Sequence, residues 1–246
     1  MRVSLFATCL VDQFRPEAAT AAVAVLRHAG CTVEFDPRQT CCGQPAFNSG
    51  YQDEARKVGR HFLEVFADAE AVVAPSGSCV AMIRHLPHLF EAGSAEHARA
   101  VQVAGRTHEF GSFLVHVLGV TELGARFDGR VSWHDACHGL RDLGIRDEPR
   151  RLIAAVEGCE LVEMNAADSC CGFGGTFSVK FPEISVAMLD RKLEELRDSG
   201  VDAVVSGDAS CLMQIEGRMQ RLGLPIRGMH LAELLAHGAG AARRTA

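Results

Sequence analysis

The cysteines of this 246-residue chain repeat. Cys9 and Cys137 are 128 residues apart, and so are Cys31 and Cys159. Cys41-Cys42 and Cys170-Cys171 are 129 apart, and Cys79 and Cys211 are 132 apart. Five cysteines per half in one order, drifting by only four residues, mark two copies of one unit. In each copy the central pair is vicinal and followed by glycine, as Cys41-Cys42-Gly43 and Cys170-Cys171-Gly172. Adjacent cysteines pair with each other only through a strained ring, so they are poor material for a disulfide scaffold. Glycine beside them lets backbone N–H groups approach whatever the sulfurs hold. The two stretches therefore read as the hearts of metal sites.

Between the cysteines, short apolar runs alternate with helical patterns. Residues 2–7, 32–35, 71–74 and, weakly, 101–104 read as strands of the first half. Residues 130–134, 203–206 and 224–227 read as strands of the second. Helices are predicted over 16–28, 52–67, from Cys79 to about Phe90, 109–118, 149–157, 183–198 and 230–237. The first of these has Pro16 in its first turn and Gly30 just past its end. The alternation predicts an α/β fold of two pseudo-repeated Rossmann-like βα domains with parallel sheets. The boundaries expected are 1–118 and 130–246, with 119–129 as a glycine-rich linker and the Ala/Gly/Arg tail frayed.

Loops after the carboxyl ends of parallel strands gather at one edge, where ligands bind. Cys9, Cys41, Cys42 and Cys79 fall in such loops, and so do Cys137, Cys170, Cys171 and Cys211. These eight are the candidate metal and cofactor ligands, expected to face a shared crevice. Helix N-termini at Cys79 and Cys211 favour thiolate over thiol. Cys31 and Cys159 precede strands at the opposite edge and read as small buried hydrophobes. Gly43, Gly172, His134 and His138 are candidates for supporting contacts around the ligands. The first-half positions matching the two histidines are Phe6 and Leu10, so the halves are not chemically equal. His134 reads equally as a ligand, a proton carrier or a strand-end histidine satisfied by backbone. His230 and Glu233 read as a helix cap and a surface charge. A nucleotide loop at Gly174-Gly175 lacks the rest of its fingerprint.

Composition narrows the class. The chain is 48% hydrophobic and 23% charged with net charge −6, as expected of a soluble globular protein. It has no basic block and a single Trp and Tyr, which argues against nucleic acid. No apolar run is long enough to span a membrane, and the N-terminus does not read as a signal peptide. Ten cysteines in a cytoplasmic, reducing setting point to metal or redox chemistry.

The spacings Cys9-x31-Cys41-Cys42-Gly43-x35-Cys79 and Cys137-x32-Cys170-Cys171-Gly172-x38-Cys211 resemble the tandem cysteine-rich CCG domain family. That family includes the CCG-bearing subunit of heterodisulfide reductase, iron–sulfur subunits of glycolate oxidase and anaerobic glycerol-3-phosphate dehydrogenase, and the lactate-utilisation A proteins. The resemblance covers nearly the whole chain. Its stand-alone length, without a preceding ferredoxin-like segment, is most similar to the last group. The resemblance implies one or two iron–sulfur clusters, 4Fe-4S in type, held by the eight cysteines. It implies an electron-transfer subunit, non-catalytic or co-catalytic, of a cytoplasmic complex oxidising L-lactate or another 2-hydroxy acid. The implied partners are other iron–sulfur subunits, one of which would supply any peripheral membrane attachment. The family's pattern ends each half in Cys-x-x-Cys, but here its first position is Ser76 or Asp208. Four thiolates suit a cubane and equally a four-cysteine zinc site in one half. Asp208 reads either as an oxygen ligand or as an exposed loop residue. The alternative functions are a heterodisulfide-reductase-like disulfide reductase and a zinc-bound structural or interaction protein.

Overall fold

A computed structural model describes residues 1–165 and 167–238. The tail expected to fray, residues 239–246, lies outside the described residues. In chain order the first half runs β1 (Arg2–Leu5), α1 (Cys9–Phe14), α2 (Pro16–His28), β2 (Thr32–Glu34), α3 (Gln44–Asn48), α4 (Gln52–Val65) and β3 (Val72–Ala74). It continues with α5 (Gly77–His85), α6 (Ala95–Gly105), β4 (Thr107–Glu109) and α7 (Phe110–Ser112). The second half repeats this as β5 (Arg126–Trp133), α8 (Cys137–Asp142), α9 (Asp147–Ala154), β6 (Glu157–Leu161), α10 (Thr176–Lys180) and α11 (Pro182–Ser199). It closes with β7 (Ala203–Ser206), α12 (Ala209–Arg221), β8 (Arg227–His230) and α13 (Leu231–Ala236). Two four-stranded sheets result, ordered β2-β1-β3-β4 and β6-β5-β7-β8, and every pairing is parallel. The α/β fold with two repeated parallel units is the one the periodicity predicts.

Several boundaries differ from those the sequence predicts, three of them at strands. Residues 101–104 are not a strand. They belong to α6, whose buried Ala100, Val103 and Ala104 follow the helical period and whose N-cap Ser94 accepts from the His97 N–H. The edge strand is Thr107–Glu109 instead. Helix α6 has no counterpart in the second half and accounts for the longer first-half connection. The last strand is likewise shifted, to Arg227–His230. Strand β5 begins at Arg126, inside the segment expected to be a linker, because Phe127 and Ala125 are buried against the core.

The two halves are not separate bodies. The largest apolar cluster takes Val3, Leu5, Phe110 and Phe113 from the first half with Trp133, Leu152, Leu231 and Leu235 from the second. The contacts come in exchanged pairs. Helix α13 packs on α2 while α7 packs on α9, and α1 packs on α12 while α5 packs on α8. This is the pattern of an approximate twofold axis, and Ser76 and Asp208 form an isolated antiparallel bridge across it. His230 caps α13, accepting from the Ala232 N–H, and its Nε2–H donates across the boundary to the Pro75 carbonyl at 3.1 Å. The Glu233 side chain completes a capping box, so His230 is the helix cap expected of it. Arg15 of the first half reaches Glu216 and Glu233 of the second at 2.7 and 3.2 Å.

Candidate metal centre

The carboxyl ends of β1, β2 and β3 deliver Cys9, Cys41-Cys42 and Cys79 to one place, and β5, β6 and β7 do the same for the second set. Cys9 and Cys137 are the first residues of α1 and α8, while Cys79 and Cys211 lie in the first turns of α5 and α12. All eight line a single cavity of about 360 Å³ between the halves. Cys31 and Cys159 do not reach it. Cys31 is buried in the main core, and Cys159 lies within β6 rather than before it, packed against the same core. All ten cysteines are free thiols.

Within each half the sulfurs form a chain of contacts. The Cys9 and Cys41 sulfurs are 3.7 Å apart, and the Gly43 N–H donates to the Cys41 sulfur at 3.4 Å. The Gly172 N–H donates to the Cys170 sulfur at 3.3 Å. Cys41 is held down to about 3, first by the Cys42 thiol and then by Cys9 donating to it. Cys170 is held to about 2 by Cys137 and then Cys171 in the same way. The neighbours Cys9, Cys42, Cys137 and Cys171 are pushed up, because each gives its proton to that shared anion. Cys41 and Cys170 are thus the sulfurs on which negative charge is most favoured in their halves. Soft thiols clustered around such a sulfur, with backbone N–H groups turned to it, fit a thiophilic metal or an iron–sulfur cluster. Metal binding would displace the remaining protons.

Gly43 and Gly172 have φ of +88° and +82°, where a side chain is strained. Their surroundings differ. A Cβ at Gly172 would sit 2.4 Å from the Ser185 backbone oxygen, whereas at Gly43 the nearest atom would be 3.5 Å away. Ser185 also clamps the loop, donating from Oγ to the Gly172 carbonyl at 2.7 Å. Gly43→Ala is expected to cost about 1–2 kcal/mol from its backbone alone, and Gly172→Ala at least about 2 kcal/mol more, since α11 must move. Urea unfolding of the two variants checks this, and equal losses would contradict it.

The positions where the family pattern has its additional cysteine have a different job here. Ser76 caps α5, accepting from the Cys79 N–H. Asp208 caps α12, accepting from the Ser210 N–H at 3.1 Å, and also accepts from the Ser78 N–H of the other half at 2.9 Å. It is not an exposed loop residue, being 1% accessible. A carboxylate cannot be removed from water without such donors, and both halves supply them. Asp208 does border the cavity.

His138 and His134, close in sequence, part company in space. His138 stands on the cavity rim, half-exposed, with Nδ1 against the Asp142 carboxylate at 2.5 Å. His134 is wholly buried just past the end of β5. One of its ring nitrogens and the sulfurs of Cys171 and Cys211 lie within 4.8 Å of one another. Burial first, and the nearby Lys192 ammonium second, hold its ring neutral, down to about 3. Lys192, on α11, is 1% accessible and donates to the Ala167 carbonyl at 3.3 Å. Lys192 is not among the residues that sequence reasoning singles out. The signal available is a lysine on the apolar face of an amphipathic helix.

Comparison with known proteins fits this geometry. The cysteine-rich domain CCG matches twice, over residues 3–84 and 131–216. The chain belongs to the CCG cysteine-rich domain family, with two copies of the domain in tandem. Among its relatives is the lactate utilization protein A of Exiguobacterium sp., 48% identical over 96% of this chain and 97% of that protein. The lactate utilization protein A of Geobacillus kaustophilus is also 48% identical, over 96% of this chain and 98% of that protein. The fold is shared with a hypothetical protein from Helicobacter pylori at a TM-score of 0.67 and 11% identity, over 97% of this chain and 49% of that one.

Proposed function

We propose that this chain is an iron–sulfur electron-transfer subunit of a system that oxidises L-lactate, or another 2-hydroxy acid, to the 2-oxo acid. The observation that carries the reading is the convergence of eight cysteines from six strand ends on one cavity, four from each half. The relatives named lactate utilization protein A, alike over nearly their full length, support the metabolic assignment. Cys9, Cys41, Cys42 and Cys79 would hold one centre, and Cys137, Cys170, Cys171 and Cys211 the other. A bound cluster supplies one-electron transfer. The chain's own residues provide thiolates, backbone N–H groups at Gly43 and Gly172, and a largely apolar surround. No helix of the described residues is long and apolar enough to cross a membrane. Free thiols in this number suit the cytoplasm, where other iron–sulfur subunits would be its partners.

A heterodisulfide-reductase-like activity is disfavoured because Ser76 and Asp208 are committed to helix caps and to the joint between halves. A zinc site in one half has one observation in its favour. Four ligands ~2.3 Å from a tetrahedral ion stand ~3.8 Å apart, close to the 3.7 Å between the Cys9 and Cys41 sulfurs. Metal analysis of protein made anaerobically with iron supplied separates the readings. Iron and acid-labile sulfide in near-equal amounts are expected, and stoichiometric zinc without sulfide would overturn the electron-transfer assignment. In the same preparation, Cys31→Ala and Cys159→Ala are expected to retain all the iron and to lose only stability, within ~0.5–3 kcal/mol. Iron loss in either would make that cysteine a ligand.

A further inference from the structure

The internal repeat allows each buried residue to be compared with its counterpart in the other half. Gly43 abuts Ala55 of α4, and Gly172 abuts Ser185 of α11, which aligns the two helices at an offset of 130. On that alignment Phe62 corresponds to Lys192, just as Phe6 corresponds to His134 at the offset of 128. In the first half Phe6 and Phe62 are buried and in edge-to-face contact, with centroids 5.0 Å apart, in the cluster that also holds Cys42 and Cys79. In the second half both aromatic rings are replaced at once by nitrogen-bearing side chains, each at most 1% accessible. The rest of the second-half floor is as apolar as the first, so the two nitrogen-bearing side chains are the difference between them.

A buried imidazole is costly unless its nitrogens are engaged. Neither ring nitrogen of His134 makes a well-formed hydrogen bond among the described residues, although the Ala167 carbonyl lies near the ring. The groups it does meet are the sulfurs of Cys171 and Cys211, which share with it a spacing of no more than 4.8 Å. A buried imidazole nitrogen beside two thiols is a donor set for iron as well as for zinc. We propose that His134 is a metal ligand of the second-half centre, alongside Cys171 and Cys211, while the first-half centre is held by thiolates alone. The inference rests on the electron-transfer reading above. A nitrogen donor from His134 has no counterpart at Phe6 in the first half, and with the Lys192 charge nearby it favours the reduced form of the second-half centre. The two centres of one chain then differ in potential although their cysteines match.

The test is pulsed EPR on anaerobically reconstituted, dithionite-reduced full-length protein, prepared with natural and with 15N-labelled histidine. A directly bound nitrogen whose coupling changes with the label is expected in the wild type. His134→Phe, which installs the first half's own residue, is expected to abolish that coupling and to lower the midpoint of one centre only. Iron in both halves with no histidine coupling overturns the inference and leaves the electron-transfer reading standing. Protein that takes up no iron overturns both. Coupling that survives in His134→Phe assigns the nitrogen to another histidine and overturns the inference. If His134→Phe does not fold, the label comparison on wild-type protein decides alone.

Discussion

Cys171→Ser is expected to lose the second-half centre and keep the first, so that iron per chain falls by about half. Cys171 is 3% accessible and contacts Cys170 and Cys211, and its counterpart Cys42 contacts Cys41 and Cys79. Thiol contacts therefore close within each half, although all eight sulfurs border the same cavity. A serine hydroxyl there is a hard, protonated donor and a poor substitute for thiolate. The shared apolar core holds the fold while the site empties. Iron and sulfide analysis with low-temperature EPR reads the outcome. Complete loss of iron would show a single centre shared between the halves.

A second large effect concerns the joint between the halves. Glu109 ends β4, is 5% accessible, and accepts from the Ser112 N–H at 2.8 Å. Its other oxygen faces Gly207 of the second half, with Glu148 and Asp208 as nearby like charges. Burial, above all, pushes its carboxyl up to about 7 from an ordinary 4.5. Between those values the folded protein binds more protons than the unfolded chain, so its contribution to stability is lost as pH rises from 4.5 towards 7. Over the full window the loss is on the order of 3 kcal/mol. His134 and His230 have folded values of about 3 and about 4 against an ordinary 6.5, so their contributions run the other way. Those two are common to wild type and Glu109→Gln and cancel in the comparison. Glu109→Gln, neutral throughout, is expected to gain stability relative to wild type on going from about pH 5 to about pH 8. Urea unfolding of both proteins at several pH values measures this. Parallel pH profiles would show that Glu109 titrates in the ordinary range.

Much of this molecule is legible in the chain. The repeat of cysteines at a nearly constant offset announces two like units, and strand–helix alternation predicts the parallel sheets that carry them. Pro16 and Gly30 bracket α2 where the sequence places it, because a proline in the first turn and a glycine beyond the last are local preferences. The eight candidate ligands are legible for a topological reason: in a parallel sheet, loops distant in sequence must end at one edge. Where the local pattern is ambiguous it misleads. Residues 101–104 look like a strand, yet the buried stripe of α6 overrides that run.

What the sequence alone determined is the unit, its duplication and the edge where the sulfurs gather, since these follow from periodicity and chain connectivity. Only the tertiary structure decided how the two edges meet. It turned Ser76 and Asp208 into caps joined across an approximate twofold axis, and it buried Glu109 against the opposite half. It also separated His134 from His138, four residues apart in the chain, sending one under the sulfurs and the other to the rim. Burial and the company a side chain keeps are set by contacts between distant segments, and no local pattern encodes them.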